Sequence, residues 1–78
     1  MAKLELFGAG TCPHTREMRE WLDFRGKDFV EYDVEADVAA RRRLRALTGG
    51  QRTVPVLVQD DEVVQVGWQG RGCVIAGD

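Results

Sequence analysis

The stretch Gly10–Met18, GTCPHTREM, places Cys12 immediately before Pro13 and three residues before Thr15. A thiol is a useful nucleophile only as thiolate, and with an ordinary pKa of about 8.5 most of it is protonated at neutral pH. A helix N-terminus shifts that balance, because unpaired N–H donors and the positive end of the helix dipole converge there. Pro13 suits the first helical position, where its missing N–H costs nothing, and Thr11 or Cys12 is the expected N-cap. His14 either adds positive charge when protonated or simply lies on the surface. Thr15 and Arg16 lie one turn into the helix, within reach of the sulfur. Thr15 stands where a Cys-x-x-Cys site would carry its second thiol. Its hydroxyl either bonds the Cys12 thiolate or caps and packs. The bland alternative for Cys12 is a small, inert helix-start residue; the succession of strand, loop, cysteine, proline and helix favours a reactive thiol presented, unburied, at the end of a sheet.

The elements that must hold this cysteine are legible in the apolar periodicity. Residues 3–8, KLELFG, alternate as a strand, and GAGT breaks the pattern. A helix runs from Pro13, with Met18, Trp21, Leu22 and Arg25 at helical spacing and Gly26 ending it. Trp21 belongs to the core or its margin. Phe29–Val34 alternates again as a second strand. Residues 35–48 form a second helix, with Ala36, Ala40, Leu44 and Leu47 on one face and Gly49-Gly50 as its stop. Val54–Val58 is a nearly continuous apolar run, fit for a strand covered on both faces. Asp60-Asp61 turn the chain into EVVQV, a fourth strand. The tail from Gly67 has room for a helical turn or two. The order is β-α-β-α-β-β with a four-stranded mixed sheet, an α/β chain whose C-terminal helix is truncated.

Composition sets outer bounds. With 78 residues, 44% hydrophobic and 31% charged, residues 1–78 are expected to form one small domain with a shallow core. A net charge of -2 argues against nucleic acid as a partner. No apolar run is long enough for a bilayer, and the N-terminus lacks a signal-peptide core, so a cytoplasmic chain without a membrane partner is expected. Two cysteines are too few for a disulfide scaffold. One histidine and two distant cysteines do not make a metal site. The basic run Arg41, Arg42, Arg43 and Arg45 reads as a solvated helix face paired with acids such as Glu35 and Asp37.

TCPHT followed by TVP, in this element order, resembles the glutaredoxin family of the thioredoxin superfamily across nearly the whole chain. CPHT, FVEYDV, TGGQRTVPVLV and VGWQGRGCV further resemble the UXX-star (seleno)protein-like glutaredoxins, here in a cysteine form. The resemblance implies a thioredoxin-like fold and a thiol–disulfide oxidoreductase that uses glutathione as reductant. It implies glutathione and glutathionylated or disulfide-bearing proteins as partners, with a monomer expected. Cys12 matches the nucleophile; Pro13 and His14 match the two residues that follow it, and Thr15 replaces the second cysteine. Thr53-Val54-Pro55 matches the segment facing the thiol, in which the proline is cis and the preceding backbone pairs with the cysteine of glutathione. Gln51 and Arg52 match positions that contact its glycine carboxylate.

Two departures stand out. Ala9 takes the place of a frequent lysine, and Gly67-Trp68-Gln69-Gly70 does not keep the Gly-Gly-Asp pattern that holds the γ-glutamyl end. Trp68 is either an apolar platform for substrate or a cover for the core edge. The candidate chemical residues are therefore Cys12, Pro13, Thr15 and Cys73, and the candidate substrate contacts are His14, Arg52, Thr53, Val54, Pro55 and Trp68. Without a second motif cysteine, Cys12 acts by a monothiol route, or Cys73 resolves its mixed disulfide if their Cα atoms approach within about 7 Å. Cys73 as a small packing residue is the plain alternative. The rival functions are a non-catalytic glutathione-binding or iron–sulfur cluster-carrying module, and an interaction domain with inert Cys12.

Overall fold

A computed structural model describes residues 3–75. The elements are β1 (Leu4–Gly8), α1 (Pro13–Phe24), β2 (Val30–Asp33), α2 (Val38–Thr48), β3 (Thr53–Val54), β4 (Val56–Gln59), β5 (Glu62–Val66) and β6 (Cys73–Val74). Four strands form one mixed sheet in the order β2-β1-β4-β5. The β1–β2 pair is parallel, as a helical crossover requires, and the β1–β4 and β4–β5 pairs are antiparallel.

The helices begin and end for local reasons. Cys12 is the N-cap of α1 in extended conformation, Pro13 fills the first helical position, and Gly26 follows the C-terminus at φ 68°. The second helix starts at Val38, later than its apolar spacing implies, because the Asp37 carboxylate accepts a bond from the Ala40 N–H at 3.0 Å and caps it there. Glu35 and Ala36 belong to the preceding turn, which is closed by Asp37 N–H on Asp33 O at 2.8 Å. Gly49, left-handed at φ 71°, stops α2.

Each face of the sheet carries its own apolar layer. Under α2 lie Phe7, Val34, Ala40, Leu44, Val56 and Val58; against α1 lie Leu6, Met18, Leu22 and Leu57, with Trp68 and Phe29 at the margin. Because β1 is central and covered on both faces, its alternation does not separate inside from outside, and even Glu5 is fully buried. Trp21 sits at the margin of the α1 layer, 37% exposed.

Two segments differ from expectation. The third strand is divided at Pro55, which has no N–H to give to a ladder; β3 lies before it and β4 after it, and the Val54–Pro55 peptide is cis. The tail is not helical through Ile75. Gln69 and Gly70 both take positive φ (52° and 76°), and Trp68 and Arg71 exchange both backbone bonds, at 2.6 and 2.9 Å. That is a two-residue hairpin turn, whose conformation glycine accommodates and a helix does not. The chain then returns as β6 to pair antiparallel with β3 in a separate two-stranded sheet. The rest of the tail lies outside the described residues.

Candidate redox site

Cys12 closes the loop after β1. Its N–H donates to Ala9 O at 3.1 Å, and its carbonyl accepts the first helical bond from Arg16 N–H at 3.3 Å. No side-chain bond caps α1. The sulfur is engaged elsewhere: Cys12 is joined to Cys73 by a disulfide, with Cα atoms 6.1 Å apart, inside the usual range. The expectation of an exposed cysteine is corrected here. Cys12 is only 3% accessible, because the tail crosses it and adds Cys73 and Ile75 to the layer under α2.

The tail reaches that position through β3. Val54 faces Cys73 and Thr53 faces Val74 in antiparallel register, and Ile75 N–H donates to Arg52 O at 3.0 Å. Gly67 N–H donates to Pro55 O at 2.7 Å, which fixes the entry to the hairpin. Cys12, Cys73, Thr53, Val54 and Pro55 thus converge, with Pro13 beginning α1 beside them. Arg52 meets this group through its carbonyl, while the residue is exposed, as is Gln51.

With the Cys12 sulfur held in the disulfide, Thr15 is a packed side chain. Thr15 is fully buried, its hydroxyl accepts the Ala9 N–H at 3.3 Å, and its methyl lies so close over Gly8 that a Cβ there would overlap it. The residue holds down the loop that carries Cys12. His14 turns its Nδ1 toward Glu17, at 3.5 Å. The other Glu17 oxygen accepts the Trp68 indole N–H at 3.1 Å, and the Trp68 ring packs on Trp21 with centroids 5.6 Å apart. Trp68 therefore covers the edge of the α1 layer and fastens the hairpin to α1. Glu17 was not singled out by sequence, although its i+3 spacing from His14 is the signal that finds it.

A second cluster also escaped the sequence reading. Glu5 accepts a two-pronged hydrogen bond from Arg43, which also reaches Asp61 at 2.6 Å, and Tyr32 donates to the same carboxylate at 3.0 Å. The Arg43 guanidinium holds the Glu5 carboxyl below its ordinary range, and Glu5 in turn pushes the Tyr32 phenol up. This corrects the pairing expected for the basic run. Arg43 serves Glu5 and Asp61, and Arg41 donates to Val34 O, whereas Glu35 and Asp37 bond elsewhere. The signal was a lone glutamate inside an apolar strand.

Among the described residues, no group of three or more His, Cys, Asp or Glu is placed to hold a metal ion, and no helix is long and apolar enough to cross a membrane. The family model for glutaredoxin matches residues 4–64. A probable glutaredoxin of Synechocystis is 34% identical over 61 residues, which is 78% of this chain and 56% of that protein, so the chain spans little more than half the length of this relative. The crystal structure of the thioredoxin-like protein BC3987 aligns with a TM-score of 0.75 at 34% identity, covering 86% of this chain and 89% of that one. The glutaredoxin grx-1 of Archaeoglobus fulgidus aligns with a TM-score of 0.72 at 27% identity, over 88% and 78% of the two chains. The architecture is the thioredoxin-like glutaredoxin fold.

Proposed function

The chain belongs to the glutaredoxin family, a family of thiol oxidoreductases, and from that premise we propose that it reduces disulfides with Cys12 as nucleophile and Cys73 as resolving thiol. The observation that carries this reading is the Cys12–Cys73 disulfide, formed at the N-terminus of α1 and across β3. In the first step the Cys12 thiolate attacks one sulfur of a substrate disulfide. A Cys12–substrate bond forms, the substrate bond breaks, and the other substrate sulfur leaves as thiolate. Cys73, as thiolate, then attacks Cys12. The second substrate thiolate leaves, and the two electrons lost by the enzyme dithiol are those gained by the substrate. Two glutathione molecules, or a protein dithiol, return the enzyme to its reduced form. When Cys73 does not intervene, Cys12 attacks the glutathione sulfur of a glutathionylated substrate and the substrate leaves as thiolate. A second glutathione then attacks the glutathione sulfur held on Cys12, oxidised glutathione forms, Cys12 leaves as thiolate, and the monothiol route results.

Residues 1–78 act in this reading as one glutaredoxin-like domain, a cytoplasmic monomer serving electron transfer and redox homeostasis, and belong to the cysteine form of the UXX-star group. Pro13 sets the helix start and Thr15 steadies the loop beneath Cys12. Thr53, Val54 and Pro55 offer backbone to the bound thiol, with Arg52, His14 and Trp68 at the borders of the site. The test is reduction of a glutathionylated peptide by the native chain, Cys12→Ser and Cys73→Ser. Cys12→Ser is expected to abolish turnover, and Cys73→Ser to retain it only with glutathione present, stalling otherwise as the Cys12 mixed disulfide. Full activity of Cys12→Ser refutes the proposal.

A further inference from the structure

We propose that β6 is a built-in copy of the thiol substrate, and that its contacts with β3 restrict the site to cysteines whose preceding carbonyl is attached to an unbranched carbon. This rests on Cys12 being the nucleophile. Cys73 is the thiol seen bonded to Cys12, and the backbone that carries it runs antiparallel along Thr53 and Val54. An extended peptide adds to an open strand edge in the same way. That edge stands outside the four-stranded sheet, and among the described residues the strand that covers it is β6. An external substrate therefore takes the place of β6.

The residue before the cysteine is where selection occurs. A Cβ on Gly72 would lie 2.7 Å from both Thr53 Cγ2 and Val54 O, closer than real Cβ contacts come. One of those groups is backbone and the other belongs to a β-branched side chain, which is stiff. Gly72 is not among the glycines with positive φ, so the requirement comes from neighbouring atoms and not from backbone conformation. The residue after the cysteine is free by contrast, since Val74 is 76% exposed. Glycyl-cysteine meets the requirement in a protein substrate. A γ-glutamyl-cysteine meets it for the same reason, because its carbonyl is attached to a CH₂ group. Alanyl- and valyl-cysteine do not.

The experiment uses the full chain carrying Cys73→Ser, with Cys12 loaded as its thionitrobenzoate mixed disulfide. Capped peptides Gly-Cys-Val, Ala-Cys-Val and Val-Cys-Val are added, and release of thionitrobenzoate is followed. The peptide thiolate attacks the Cys12 sulfur, a new disulfide forms as the old one breaks, and the coloured thiolate leaves with no net oxidation. Rates are normalised to those of the same peptides with the mixed disulfide of N-acetylcysteine and thionitrobenzoate. The residual tail competes equally with all three peptides and does not bias the comparison. The glycyl peptide is expected to exceed the alanyl peptide by roughly tenfold, the valyl peptide trailing further. Thr53→Ser, which removes one of the two obstructing groups, is expected to narrow the ratio. Equal normalised rates overturn the inference and leave the nucleophile assignment standing. Failure of Cys12 to take up the label overturns both.

Discussion

Reduction of the Cys12–Cys73 bond releases a constraint between residues 61 apart in sequence. With the loop-closure expression for cross-linked unfolded chains, a separation of that size contributes about 4 kcal/mol at 25 °C. A chain of 78 residues has a total stability of about 4–12 kcal/mol at the usual per-residue value, so the bond supplies a third of it or more. Divided by an unfolding entropy of about 2.1 cal/mol/K per residue, the loss lowers Tm by about 25 °C. Thermal unfolding followed by circular dichroism, with and without dithiothreitol, measures this directly. The double variant Cys12→Ser/Cys73→Ser serves as a reference that should ignore the reductant. A difference of about 5 °C or less between oxidised and reduced native chains refutes the argument: the closed loop would then not constrain the unfolded ensemble as its length requires. The reduced protein is still expected to fold, because the apolar layers under α2 and against α1 are formed almost entirely by residues outside the tail.

Three further outcomes follow from the buried groups. Glu5 has its pKa lowered by Arg43, so the folded state binds its proton less readily than the unfolded state. The stabilisation is therefore present above the ordinary value of 4.5 and is lost as pH falls below it; denaturant titrations at pH 6 and at descending pH should show the loss for the native chain and a smaller one for Glu5→Gln. Tyr32 is raised, so its contribution is intact below pH 10 and fades as pH climbs past that value; Tyr32→Phe should flatten this alkaline decline. Arg43→Met leaves the solvent-excluded Glu5 carboxylate with the Tyr32 hydroxyl at 3.0 Å and the Lys3 ammonium at 3.9 Å as its remaining partners. A cost of about 3 kcal/mol is expected, the low end of the range for broken buried pairs because those partners remain and Arg43 is itself partly exposed. Urea unfolding measures it, and Glu5→Gln on the same background should recover part of the loss.

The fold was largely readable because its signals are local. Proline after Cys12, Gly26 and Gly49-Gly50 marked the helix ends, and the alternations of residues 3–8 and 29–34 marked two strands. Three features were hidden for physical reasons. The alternation of β1 could not reveal that a charged residue lies inside, since burial on both faces is decided by which strands flank it. The tail was misread because glycines at 67, 70 and 72 signal a turn without saying where the returning strand docks; that depends on the edge left open when Pro55 divides the third strand. The Cys12–Cys73 contact was open for the same reason. Conversely, CPHT and TVP singled out Cys12, Val54 and Pro55, because helix start and strand start are both written in consecutive residues.

The buried carboxylate of Glu5 also bears on structures the chain does not adopt. Strand β1 has a neighbour on each side, parallel on one and antiparallel on the other. A slip of one residue along either ladder would exchange its two faces. Glu5 would then enter the layer of Leu6, Met18, Leu22 and Leu57, while Arg43 and Tyr32 remained on the opposite side. An unpaired charge among those side chains is far costlier than a misplaced leucine. One acidic residue thus acts as a registration mark for the central strand. It penalises shifted pairings that apolar side chains alone would tolerate, and so keeps the loop after Gly8, with Cys12 at its end, in line with β3.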